Sequence, residues 1–156
     1  MTNTFSLQPL VDLAKIKNES AAKKLGSLNR NQQSAQSKLE LLLQYRKDYQ
    51  DKMHQAQLNG MGLEDLRNFQ DFIYRLDDAI TQQTAVVTQA QVSVESGRCE
   101  LTDTQRRMKS FDTLAQRHTA SVNTLQSKLE QKLNDEHTGR MSALKNSGNH
   151  ASDNDD

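Results

Sequence analysis

The chain has 156 residues, with 20 Lys and Arg against 20 Asp and Glu and hence no net charge, and only 34% of its residues are apolar or aromatic, against about 45–50% (counted with Gly) in ordinary domains. One Pro and six Gly exclude collagen-like and proline-rich classes, and charge neutrality argues against a dedicated nucleic-acid binder. Narrow helical seams use few apolar residues per turn, so a low apolar count fits them.

Along residues 1–10 no basic region precedes an apolar stretch, so no secretory signal is visible. Ser6 is expected to cap a first helix whose first turn contains Pro9, the sole proline. That helix should run to about residue 58. Counting by sevens from Leu7 gives Ala14, Ala21, Leu28, Ala35, Leu42, Tyr49 and Ala56, all apolar or aromatic. The interleaved positions Val11, Asn18, Leu25, Gln32, Leu39, Arg46 and Met53 are mixed.

Asn59-Gly60-Met61-Gly62 is the one glycine-dense spot, and glycine tolerates the positive φ that tight turns need. A second helix is expected from residue 63 to about 137. Glu64 and Asp65 lie in its first turn, near the positive end of the helix dipole. Counting by sevens from Leu66 gives Ile73, Ile80, Val87, Val94, Leu101, Met108, Ala115, Val122 and Leu129 without a polar residue. The companion set, Phe69, Leu76, Gln83, Ala90, Gly97, Thr104, Phe111, His118, Leu125 and Lys132, is half apolar. A heptad sustained this long denotes a left-handed coiled coil. Its polar members, Asn18, Gln32, Gln83 and Thr104, either fix register or sit at the seam's edge.

The predicted fold is therefore all-α: a long antiparallel two-helix coiled coil, or α-hairpin, over residues 1–140. Residues 141–156 are expected to form a disordered acidic tail. A four-residue turn makes the helices antiparallel neighbours, with positions meeting where their numbers add to about 120. On that register Phe5 lies near Phe111. The stripe Ala115, Val122, Leu125, Leu129 and Leu133 then overhangs without an intramolecular partner. Gly26 and Gly97 fall near one level and read as tolerated glycines.

No apolar run exceeds three residues, so no transmembrane helix is present. The single Cys99 cannot form an internal disulfide and fits a reducing compartment. His54, His118, His137 and His150 have no zinc-like spacing, and no phosphate loop or nucleophile elbow occurs. The chain reads as a non-enzyme with no cofactor, metal, nucleic acid or small-molecule substrate. Its aromatic residues are more informative. Tyr45, Tyr49, Phe69, Phe72 and Tyr74 fall at one level of the hairpin, with Tyr45 and Phe72 off the strict seam and partly exposed. They form either a stiffening plug or a docking patch. Charge is segregated too: residues 1–58 carry net +4, 59–97 net −4, 98–145 net +3 and 146–156 net −3.

The segments LVDLAKIKNESAAKKLGSLNR (residues 10–30), LLLQYRKDYQ (41–50), NFQDFIYRLDDAI (68–80) and LAQRHTA (114–120), with the place of the glycine turn, resemble the bacterial flagellar export protein family FliJ over residues 10–140. That resemblance implies a stalk-like, non-catalytic part of the flagellar type III export apparatus, cytoplasmic and peripheral to the inner face of the cell membrane at the flagellar base. It implies that the open end, here Leu7, Val11, Phe111, Val122, Leu125 and Leu129, binds and stimulates the hexameric export ATPase. It further implies a patch, here Leu42, Tyr45, Tyr49, Phe72, Leu76 and Ala79, that binds the export gate protein FlhA and the export chaperones which such proteins escort. Phe72 and Leu76 resemble the gate-contacting pair. The alternative from another class is a structural tether or homo-oligomeric coiled-coil adaptor without an ATPase partner.

Overall fold

A computed structural model describes residues 6–148. Two helices account for nearly all of them: α1 spans Gln8–Leu58 and α2 spans Leu63–Gly148, with no strand among the described residues. Phe5, His150 and the last part of the expected tail lie outside the described residues. The chain divides into two compact units, Leu13–Met108 and a second made of Met1–Asp12 with Lys109–Asp156.

The Leu7 carbonyl accepts the N–H groups of Leu10 and Val11 at 2.9 and 3.1 Å. Leu7, not Ser6, therefore occupies the N-cap position, because Leu7 is the first seam residue and its half-burial sets where the helix begins. Pro9 lies in the first turn, where its missing N–H leaves no helical bond unmade. At the other end Asn59 N–H donates to the Gln55 carbonyl, and Gly60 N–H to that of Gln57. Gly60 has φ +84°, a left-handed conformation that closes a helix at little cost only for glycine. The Gly62 carbonyl accepts from Leu66 N–H at 3.1 Å and opens α2, with Glu64 and Asp65 in its first turn.

In the unit Leu13–Met108 the two helices pack antiparallel along the heptad seam. Every seam position from Ala14 to Ala56 on α1, and from Leu66 to Met108 on α2, is buried or half-buried. The most enclosed are Ala14, Ala21 and Ala35 on α1 with Ile73, Leu76, Val87 and Val94 on α2. Small residues on one helix admit larger branched ones on the other, which fills the seam without widening it.

Three of the four polar seam members, Asn18, Gln83 and Thr104, bond across it. Gln83 Nε2 donates to the Ala35 carbonyl at 2.8 Å, and the Thr104 hydroxyl lies 3.2 Å from Asn18 Oδ1. These pairs add to 118 and 122, which places the register at the expected level. Arg46 donates to Asp77. Each such bond is satisfied at one alignment only, and a slip would leave a half-buried polar group unpaired. Gly97 is more than a tolerated glycine. It is buried, and a Cβ there would meet Leu28 Cδ1 at 2.9 Å and Leu25 Cδ1 at 3.4 Å. Its missing side chain is the space that Leu28 fills. Gly26 has nothing within 4 Å of a notional Cβ.

In the second unit, Val11 is buried, and Leu7, Phe111, Ala115, His118 and Val122 are half-buried. From residue 123 to 148 every side chain is exposed. Of the stripe expected to overhang, Ala115 and Val122 are partly covered, whereas Leu125, Leu129 and Leu133 are bare. α2 also passes its expected end near 137 and takes in residues 141–148 of the expected tail. Gly139 costs a helix only about 1 kcal/mol, and Met141 and Leu144 continue the 3–4 spacing, with Lys145 in the last turn near the negative helix end.

Two glycine substitutions should move stability in opposite directions. Gly60→Ala should lower it by about 1 kcal/mol, because an L side chain resists the left-handed conformation. Gly26→Ala should raise it by up to about 1 kcal/mol through helix propensity alone. Urea denaturation followed by circular dichroism at 222 nm checks both; equal effects would contradict these backbone assignments.

Candidate functional site

The aromatic level sits near the turn and is organised by Tyr49. Its ring stacks on Phe72 with centroids 4.1 Å apart and an interplanar angle of 29°, and meets Phe69 at 5.6 Å and 57°. Lys52 Nζ lies 5.8 Å from the Tyr49 ring centre, within cation–π range. Tyr49 and Phe69 come from the two seams and close the end of the hairpin core. Phe72 lies one position off the seam and remains 39% exposed; Tyr45, one turn along α1 from Tyr49, is 52% exposed.

The six patch positions thus differ in kind. Tyr45 and Phe72 present ring surface to solvent, and Leu42, Tyr49 and Ala79 are half-buried. Leu76 is only 8% exposed and belongs to the seam. A shallow hollow of about 520 Å³ opens beside Phe72, walled by Tyr49, Asp65, Asn68 and Phe69 and floored by the turn at Gly60. Asn68 was not singled out from sequence, and Asp65 only as a first-turn acid; their one signal for this site is a position four residues before Phe72 and Phe69 respectively, on the same helix face.

Arg46 and Asp77 border the patch on the seam side as a half-exposed ion pair. The hydrogen bond it donates to Asp77, reinforced by the carboxylate's charge, holds the Arg46 guanidinium above its ordinary range. The pair marks alignment.

In the second unit, the predicted open-end residues grade from cover to exposure. Val11 is buried, Leu7, Phe111 and Val122 are half-buried, and Leu125 and Leu129 are 58% and 63% exposed. The same apolar spacing therefore continues after its packing has ended. The surface can bind by apolar burial. Among the described residues no group of His, Cys, Asp or Glu could hold a metal ion. Cys99 is exposed, and no helix is long and apolar enough to cross a membrane.

The chain is similar to known proteins. The family model for the flagellar FliJ protein matches residues 3–147. Flagellar FliJ proteins of Salmonella typhi and of Escherichia coli strain K12 are each 29% identical over 145 residues, which is 93% of this chain and 99% of theirs. A solved structure from Chlamydia trachomatis, described as a YscO homologue, superposes with a TM-score of 0.69 at 16% identity. It covers 92% of this chain and 97% of that one, a likeness of fold.

Substitutions should separate packing from surface within the patch. Leu76→Ala should cost about 3 kcal/mol, as for a buried leucine whose site cannot collapse. Phe72→Ala should cost about 1 kcal/mol, chiefly the aromatic pair with Tyr49. Chemical denaturation of the two variants checks the ranking, and equal losses would place Phe72 in the core.

Proposed function

The chain belongs to the flagellar FliJ family, a family of non-enzymatic flagellar export components, and on that premise we propose that it is a stalk-like partner of the hexameric export ATPase. In this reading the end formed by Leu7, Val11, Phe111, Val122, Leu125 and Leu129 binds the ATPase and stimulates it. The aromatic patch of Leu42, Tyr45, Tyr49, Phe72, Leu76 and Ala79 binds the export gate protein FlhA and the substrate chaperones that the protein escorts. The protein works in the cytoplasm, peripherally at the inner face of the membrane beneath the flagellum.

One observation carries the ATPase part of this reading: α2 keeps its apolar spacing through Leu125, Leu129 and Leu133 although every side chain from 123 to 148 is exposed. Isolated helices are marginal in water, and most of their stability in proteins comes from burying an apolar face. An exposed stripe of leucines on a bare helix is therefore a surface to be covered by something else.

Purified protein should accelerate ATP hydrolysis by the cognate export ATPase while hydrolysing none itself. Leu125→Glu with Leu129→Glu should abolish that acceleration and leave the melting of the hairpin unchanged, since both side chains are already in water. Absence of stimulation by the unaltered chain sinks the ATPase reading. A stable dimer by light scattering that the double variant dissolves would favour a homo-oligomeric tether.

A further inference from the structure

The two flanks of the hairpin in the unit Leu13–Met108 are unlike. Lys24 Nζ and Glu100 Oε2 meet 3.0 Å apart across one of them. Counting by sevens from Glu100 toward the turn gives Ser93, Val86, Ala79 and Phe72 on α2; from Lys24 it gives Asn31, Lys38, Tyr45 and Lys52 on α1. A seven-residue step keeps its face in a coiled coil, so these positions line one flank. The opposite flank is marked by Asp77, where it pairs with Arg46. In phase with Asp77, α2 presents Gln70, Thr84, Gln91 and Arg98, all polar.

The Lys24–Glu100 flank is also hollowed. A depression of about 440 Å³ lies among Leu28, Asn31, Val86, Ala90 and Ser93, and the hollow beside Phe72 lies further toward the turn. Val86 is 51% exposed in the middle of this run. From Ala79 to Val94 α2 carries no charged residue, in a chain that is 26% charged. Loss of charge with retained apolar surface is the composition of an interface centre. The border is charged again, with Lys38 and Lys52 on the α1 edge and Arg75 on α2. Asp48, which accepts a hydrogen bond from Gln44, and Asp65 are the anions near its turn end.

We infer that this flank, from Phe72 to Ser93, is a groove for one amphipathic α-helix of a partner protein, laid along the hairpin as a third strand. Its apolar face covers Phe72, Ala79 and Val86, and acidic residues along its edge face Lys38 and Lys52. The groove is ~32 Å long, the length of about 21 helical residues. A second copy of this chain fits less well, because it would set the same cationic edge against itself. The inference rests on the reading that the Phe72 end binds a partner, and it extends that site by two heptads with a stated partner chemistry.

The test uses the full chain and two synthetic helical peptides of about 24 residues, one with Glu and one with Lys flanking the same leucine heptads. Fluorescence anisotropy at low salt should find the Glu-edged peptide bound about tenfold tighter. Val86→Glu should weaken that binding about tenfold, Gln91→Glu on the opposite flank should leave it unchanged, and Lys38→Glu should erase the preference between peptides. Equal binding of both peptides, or equal effects of Val86→Glu and Gln91→Glu, overturns the groove. So does a dimer of the chain alone that Val86→Glu dissolves. If Phe72→Ala weakens the peptide and Val86→Glu does not, the patch survives and the groove fails. If peptide binding behaves as expected while neither gate nor chaperone binds, the partner assignment of the patch fails and the groove stands.

Discussion

A single apolar seam between two helices is the interaction on which this structure depends. A two-helix pairing has no third layer, so each helix can withdraw only the residues that face its neighbour, two in every seven. Even the most enclosed side chains, Val11, Ala21 and Val94, keep 3–4% of their surface accessible. With so little area buried per residue, stability accrues by repetition along the helices. Sustained phase therefore matters more than any one large side chain.

That economy explains the polar residues within the seam. A hydrophobic stripe repeated every seven residues would tolerate a one-heptad slip at modest loss. Gln83 on the Ala35 carbonyl, Thr104 beside Asn18, and Arg46 with Asp77 are satisfied at one alignment only. Gly97 against Leu28 adds a steric match at the same register. Register in turn decides that Tyr49 reaches both Phe69 and Phe72, and so fixes the aromatic patch that faces the exterior.

Function in a protein of this kind lies in what the seam leaves uncovered. Near the turn, Phe72 and Tyr45 project beside an intact core. Beyond Val122 the apolar pattern persists on a helix whose every described side chain is in solvent. The two surfaces differ physically: the first lies beside buried seam residues, and the second stands on a stretch of helix with none.

Much of this was legible in the amino-acid sequence because a period of seven is a one-dimensional property. The two seams, the turn at residues 59–62 and the level at which Tyr49 meets Phe69 follow from spacing and a four-residue connection, whereas cover reaches Val122, further along α2 than the spacing placed it. Helix ends were less legible, since Ser6 is a local signal that the seam at Leu7 outweighs, and the apolar spacing at Met141 and Leu144 carries α2 past residue 137. Only the tertiary structure decided which polar seam residue bonds to which and that Gly97 is a fitted gap. It also decided that the flank bearing Phe72 and Val86 is hollow. Those properties depend on how close two particular side chains come across the interface, and a sequence period sets direction without setting distance.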